Sequence, residues 1–192
     1  MRRLMRHAIL AAALLATPAL AEERPNILPT RDVAVTYRIE GGGPSAPSSL
    51  GMAWHAVSRS MRMDVPGMGW MVANHDTNRA FMAMEGARMV MDLPMAEVMR
   101  QYGPGEGARF QREGQDRVAG LPCTVWRYED RGRQGRACMT TDGVMLRGTA
   151  PGPDGRPATV TATEVRYAAQ DPARFARPQG WAAMQMPALP RR

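Results

Sequence analysis

From Val33 onward the chain runs in short stretches of period two, cut by Gly, Pro, Asp and Asn, and this rhythm constrains the fold more than any other feature. Val33, Val35, Tyr37 and Ile39 alternate with Asp32, Ala34, Thr36 and Arg38. Residues two apart share one face of a strand, so this stretch predicts a half-buried strand. Further strands are expected over 54–65, 69–75, 107–113, 121–129, 135–141, 143–149 and 158–167, with turn signals at Pro66-Gly67, Asp76-Thr77-Asn78 and Pro151–Gly155 between them. One helix is expected over 94–102. Pro94 suits a first helical position, Glu97 the first turn and Gly103-Pro104 the stop, and Met95, Val98, Met99 and Tyr102 form one apolar stripe. A length of 192 residues allows one domain with a true core.

Residues 1–21 read as a secretory leader. Arg2, Arg3 and Arg6 precede the apolar run Ala8–Ala16, Pro18 breaks that run, and Ala19-Leu20-Ala21 is a cleavage signal. The run is too short to span a bilayer, which takes about 20 apolar residues. Cleavage after Ala21 would leave a domain over 22–182 and a Pro-rich tail over 183–192, expected to be disordered. Loss of the three leader arginines lowers the formal charge from +7 to +4, and every basic residue is arginine. The remainder is scattered, without a basic block or a recognition motif, which argues against a nucleic-acid partner.

Two cysteines in an exported chain suggest one disulfide, Cys123–Cys138. A hairpin with its turn near Asp130-Arg131-Gly132 would set the two directly opposite, with 125 facing 136 and 127 facing 134. A directly opposed pair has the Cα spacing that a disulfide accepts.

Methionine is the compositional oddity: 17 in the chain, 11 of them between Met52 and Met99. Gly86-Ala87 fits a type II′ turn. The hairpin would then pair Met84 with Met89, Ala83 with Val90 and Met82 with Met91, placing four thioethers on one face. A slip of one residue would scatter them. Three readings stand side by side: core filling, an adaptable apolar cavity, and a soft-metal site for Cu(I).

Catalytic equipment is thin. His55 and His75 are not at metal-ligand spacing, and no nucleophile elbow, zincin motif or phosphate loop occurs. No enzyme activity, cofactor or conventional metal site is expected.

Met61–Asp64, Met71–Asp76 and Ala80–Met84 resemble the strand–turn–strand start of LolA-like proteins. Val118–Trp126, Cys138–Val144 and Phe175-x-x-Pro178-x-Gly180-Trp181 resemble a LolA-like bacterial domain family of unknown function. The resemblance covers roughly residues 31–182 and implies a mainly β (α+β) fold: a single antiparallel, strongly curved half-barrel sheet with one or two helices at its open side. It also implies a periplasmic protein whose concave face takes lipid or lipoprotein acyl chains. Met61, Met63, Trp70, Met82, Met84, Met89 and Met91 are the expected lining, with Met95 and Met99 on the helix above. The expected partners are an apolar ligand or a lipidated protein, and an envelope protein. The alternatives are a Met-rich Cu(I)-binding protein, or a structural or interaction protein with a filled core.

Overall fold

The computed structural model describes residues 23–184, apart from 45, 97, 99–103, 106 and 152–154. The expected leader over 1–21 lies outside the described residues. Twelve strands form one sheet: β1 (Val33–Gly41), β2 (Ser49–His55), β3 (Ser60–Val65), β4 (Gly69–Asn74), β5 (Arg79–Met84), β6 (Met89–Leu93), β7 (Arg109–Val118), β8 (Leu121–Asp130), β9 (Arg133–Met139), β10 (Met145–Pro151), β11 (Pro157–Arg166) and β12 (Ala182–Met184). Their order is β12-β6-β5-β4-β3-β2-β1-β11-β10-β9-β8-β7. The sheet is thus two meanders, β1–β6 and β7–β11, joined where β1 pairs with β11.

The sheet is curved and unclosed. β6 and β7 are consecutive in sequence but stand ten places apart in the order, so residues 94–108 must link the two sides of the sheet. Ten strand spacings in a flat sheet would cover about 48 Å. Fifteen fully extended residues reach only about 50–54 Å, and part of this segment is coiled: Val98 N–H donates to Pro94 O at 3.2 Å. The crossing therefore needs a sheet bent toward it. We call the face on which Met95 and Val98 pack the inner face. Met95, Ala96 and Val98 are helical. Met99 and Tyr102 of the expected helix over 94–102 lie outside the described residues.

Hairpin geometry follows from where left-handed backbone is accepted. The β2–β3, β4–β5 and β5–β6 connections are four-residue loops, 56–59, 75–78 and 85–88, each closing in a positive φ at its last residue: Arg59 (45°), Asn78 (53°) and Arg88 (49°). Arg88 N–H donates to Glu85 O at 3.1 Å. Gly86 is not in the left-handed region, so the expected type II′ turn is replaced by a longer loop that keeps the same register. The single strand expected over 54–65 is two strands, because the loop at Ala56–Arg59 carries no Gly, Pro or Asn signal.

The disulfide forms, but across a register two residues from the expected one. Arg131 (φ 50°) and Gly132 (φ 77°) are both left-handed, the requirement of a two-residue type I′ turn. That turn sets Asp130 opposite Arg133 and Val125 opposite Cys138. Cys123 is then the diagonal neighbour of Cys138, with Cα atoms 5.4 Å apart. A shift of two keeps every side chain on its face, so the bridge survives it.

The C-terminal part departs most from expectation. Residues 183–192 are expected to be disordered. Instead Asp171 caps a short 3-10 helix, Pro172–Phe175, and Ala182–Met184 pair in parallel with Met89–Met91. The edge of β6 offers unpaired backbone groups, and pairing them orders these residues. Residues 185–192 lie outside the described residues.

Candidate functional site

Registers without bulges run from β1 to β6, so side chains can be assigned to faces row by row. One inner-face row reads Val33, Trp54, Met61, Ala73, Ala80, Leu93. The next begins with Val35 and is then thioether throughout. Met52 opposes Met63, Met63 opposes Met71, Met71 opposes Met82, and Met82 opposes Met91. The parallel strand β12 adds Met184 beside Met91. A third row holds Val65, Gly69, Met84, Met89 and Ala182. The pairing of Met82 with Met91 and of Met84 with Met89 is the one expected from the sequence.

Burial is graded along the thioether row. Met63 (7% exposed) and Met71 (4%) are buried, Met82 and Met91 are half-buried, and Met184 at the edge is 37% exposed. The roof explains the buried part. Met95 and Val98 pack with Met63, Met71, Ala73 and Ala80, with Leu50, Met61 and Leu93 around them. Small side chains at 73 and 80 leave the depth into which Met95 and Val98 drop. Unbranched methionines conform to irregular partners better than branched residues do. Met99 lies outside the described residues.

Trp70 stands apart from the other expected lining residues. It opposes Asp64 and Ala83, which places it on the outer face. There Arg62 lies over its ring at 4.5 Å and Trp181 meets it edge-on at 5.4 Å. It anchors a strap formed by residues 170–184. Gln170 N–H donates to Asp32, Phe175 packs on Ala53 and Val72, Arg62 donates to Arg174 O, and Arg177 pairs with Asp92. Asp32 also accepts from Ala56 N–H. Partial burial alone would raise its pKa, yet the two backbone donors and nearby His55 outweigh burial and hold it below the ordinary value.

Sequence reasoning missed two further features. An open groove of about 750 Å³ lies between the N-terminal segment Arg24–Thr30 and Trp54, Ala56 and Arg59. Trp54 lines it, and its indole N–H is buried without a hydrogen-bond partner. The second is a polar cluster: His55 Nδ1 is 2.7 Å from Ser58 Oγ, Ser58 Oγ donates to Ser60 Oγ, and Asn74 donates to both Ser58 O and Ser60 Oγ. These bonds tie the β2–β3 loop to β4. Both features are built by contacts between distant segments, and no local pattern announces them. Among the described residues no cluster of His, Cys, Asp or Glu could hold a metal ion, and both cysteines are in the disulfide.

No family model matches the chain, and no curated protein matches it. Solved structures do. MucB aligns with 82% of this chain and 61% of its own, at 15% identity and a TM-score of 0.47. PNGF-II aligns with 82% of this chain and 31% of its own, at 12% identity and a TM-score of 0.51. The LolA superfamily protein NE2245 from Nitrosomonas europaea aligns with 79% of this chain and 93% of its own, at 8% identity and a TM-score of 0.42. The chain thus spans about three-fifths of MucB and under a third of PNGF-II. The likeness to PNGF-II is one of fold alone.

Proposed function

We propose that the chain is an exported, non-enzymatic binding protein whose inner methionine face holds an apolar ligand, a lipid or the acyl chain of a lipidated protein. The observation that carries this reading is the unbroken row Met52–Met63–Met71–Met82–Met91, apolar and conformable across five adjacent strands. The resemblance of its motifs to LolA-like proteins supports it. The leader pattern and the disulfide support a periplasmic location. An envelope protein that delivers or receives the ligand completes the proposal.

The ligand would take the volume that Met95 and Val98 fill, so binding requires that turn to lift. Each buried methylene contributes about 0.8 kcal/mol. Ten to twelve of them give roughly 8–10 kcal/mol, and association costs of at least about 4 kcal/mol leave roughly 4–6 kcal/mol, an affinity between about millimolar and tens of micromolar. Met82 and Met84 are half-buried, so arginine at both positions places charge on the face without disturbing the buried core.

The test is displacement of a fluorescent fatty acid, together with native mass spectrometry of protein prepared from an envelope fraction. Uptake by the wild type and its loss in Met82→Arg/Met84→Arg are expected. No uptake, with no lipid co-purifying, overturns the reading and favours a protein with a filled core, of which Met95 and Val98 would be permanent members.

A further inference from the structure

The thioether row carries more than apolar area. Strand faces are ordinarily filled by β-branched and aromatic residues, which suit the pleated surface better than methionine does. Here every position of one row from β2 to β6, and its continuation in β12, is methionine. Leucine, isoleucine or valine would supply the same hydrophobic burial. Besides an unbranched, conformable chain, methionine adds what none of these carries, a sulfur atom, neutral, soft and not consumed by oxidative pairing of thiols.

We propose that the half-buried end of this face, the quartet Met82, Met84, Met89 and Met91, is a binding site for a soft monovalent d10 cation, Cu(I) or Ag(I). Met82 directly opposes Met91 and Met84 directly opposes Met89, in adjacent rows of one hairpin. Directly opposed residues hold their Cβ atoms about 4.5–5.5 Å apart, and residues two apart along a strand are about 7 Å apart. Rotation about the Cα–Cβ and Cβ–Cγ bonds swings each sulfur across the face, so four sulfurs reach a common centre. All four are half-buried, which leaves a path from solvent, whereas Met63 and Met71 deeper in the row are closed in.

Chemistry selects the ion. The neighbours of the quartet on this face are Gly69, Met71, Ala80, Leu93, Ala182 and Met184, none of which carries charge. The nearby carboxylate Asp92 belongs to the outer face and is paired with Arg177. A hard divalent ion would find neither carboxylate nor imidazole here, while thioethers favour Cu(I). The cysteines cannot compete, since both are in the disulfide. The step is simple ligation: four neutral sulfurs donate lone pairs to a cation that keeps its oxidation state.

The experiment is an anaerobic titration of the full chain with Cu(I) against a chromogenic bidentate chelator, repeated with Ag(I) as a redox-inert probe. The wild type is expected to withdraw one equivalent, and X-ray absorption is expected to report a sulfur-only shell. Met82→Leu/Met91→Leu keeps the apolar volume, and loss of two ligands should weaken binding by at least about tenfold. Met68→Leu, in the exposed β3–β4 turn, should bind as the wild type does. Withdrawal of no metal by the wild type, or equal affinity in the double leucine variant, overturns the proposal. Failure here is separable from failure of the lipid reading, because the leucine face still takes up a fluorescent fatty acid while lacking the sulfur.

Discussion

The two faces of β2–β6 are built from the same five strands by opposite means. The inner face beneath Met95 and Val98 is held by shape: thioethers and alanines, with no polar contact among them. The outer face is held by direction. Arg62 lies over Trp70, Trp181 meets Trp70 edge-on, Arg177 pairs with Asp92 and lies over Phe81, and Phe175 stacks near His55. Contacts with preferred angles hold one arrangement, whereas contacts among flexible apolar chains tolerate several. One face of a sheet can therefore be clamped while its reverse stays adaptable, and alternation along the strands keeps the two independent.

The sharpest way to break this comparison is at the largest buried side chain. Trp54 is 1% exposed in the inner core, and Trp54→Ala should lower global stability by about 3–5 kcal/mol, read from urea unfolding. Phe175→Ala removes a comparable ring from the outer strap. If the strap is a separate clamp, the loss shows first as faster hydrogen exchange over 170–184 and costs no more than the strap's own opening free energy, about 2–3 kcal/mol. Equal global losses for the two variants would erase the distinction. Met71→Leu should cost less than about 1.5 kcal/mol in thermal unfolding, because a conformable face accepts a swap of similar volume. A larger loss would mean that the row is packed as tightly as the outer clamp.

The smallest effect is one of pH. The carboxyl of Asp32 is depressed by the donors Ala56 and Gln170 in the folded state. A depressed pKa contributes stability that is fully present above the unfolded value and is lost as pH falls through the folded one. The strap should therefore loosen only below the ordinary value of 3.8, seen as a change in tryptophan fluorescence from the Trp70–Trp181 pair. Asp32→Asn should abolish that dependence.

Much of this fold is written locally. Alternation from Val33 to Ile39 and from Met82 to Met91 placed strands and faces correctly, because period two is a property of the strand itself. The shared face of Met82, Met84, Met89 and Met91 was legible even though the turn type was not, since a four-residue loop and a two-residue turn inside it leave the same pairs opposed. What stayed hidden depends on partners far away in sequence. Nothing around Ala56–Ser58 announces a turn, and Arg59 takes up the left-handed position where a glycine or asparagine is more usual. Trp70 looks like a ligand contact until its register with Ala83 turns it outward. The prolines at 172 and 178 suggest an irregular end, and only the free edge of β6 gives Ala182–Met184 a reason to become a strand. The long row from Met52 to Met91 needs four registers at once, so no single hairpin contains it.

The seam between the two meanders bears on how the chain assembles. Within each meander successive strands pair through short loops, and closing such loops takes about 10–100 ns. The seam brings Ala34 to Arg166 and Gly41 to Ala158, the longest closures in the sheet. Sequence-distant pairing of this kind slows folding. The two meanders are thus expected to zip up early and independently and to join last, at β1 and β11. Pulse-labelled hydrogen exchange would show this as late protection confined to the seam. During folding the unpaired edges of β1 and β11 would then be the sites most open to mispairing or to a chaperone, ahead of either outer edge of the finished sheet.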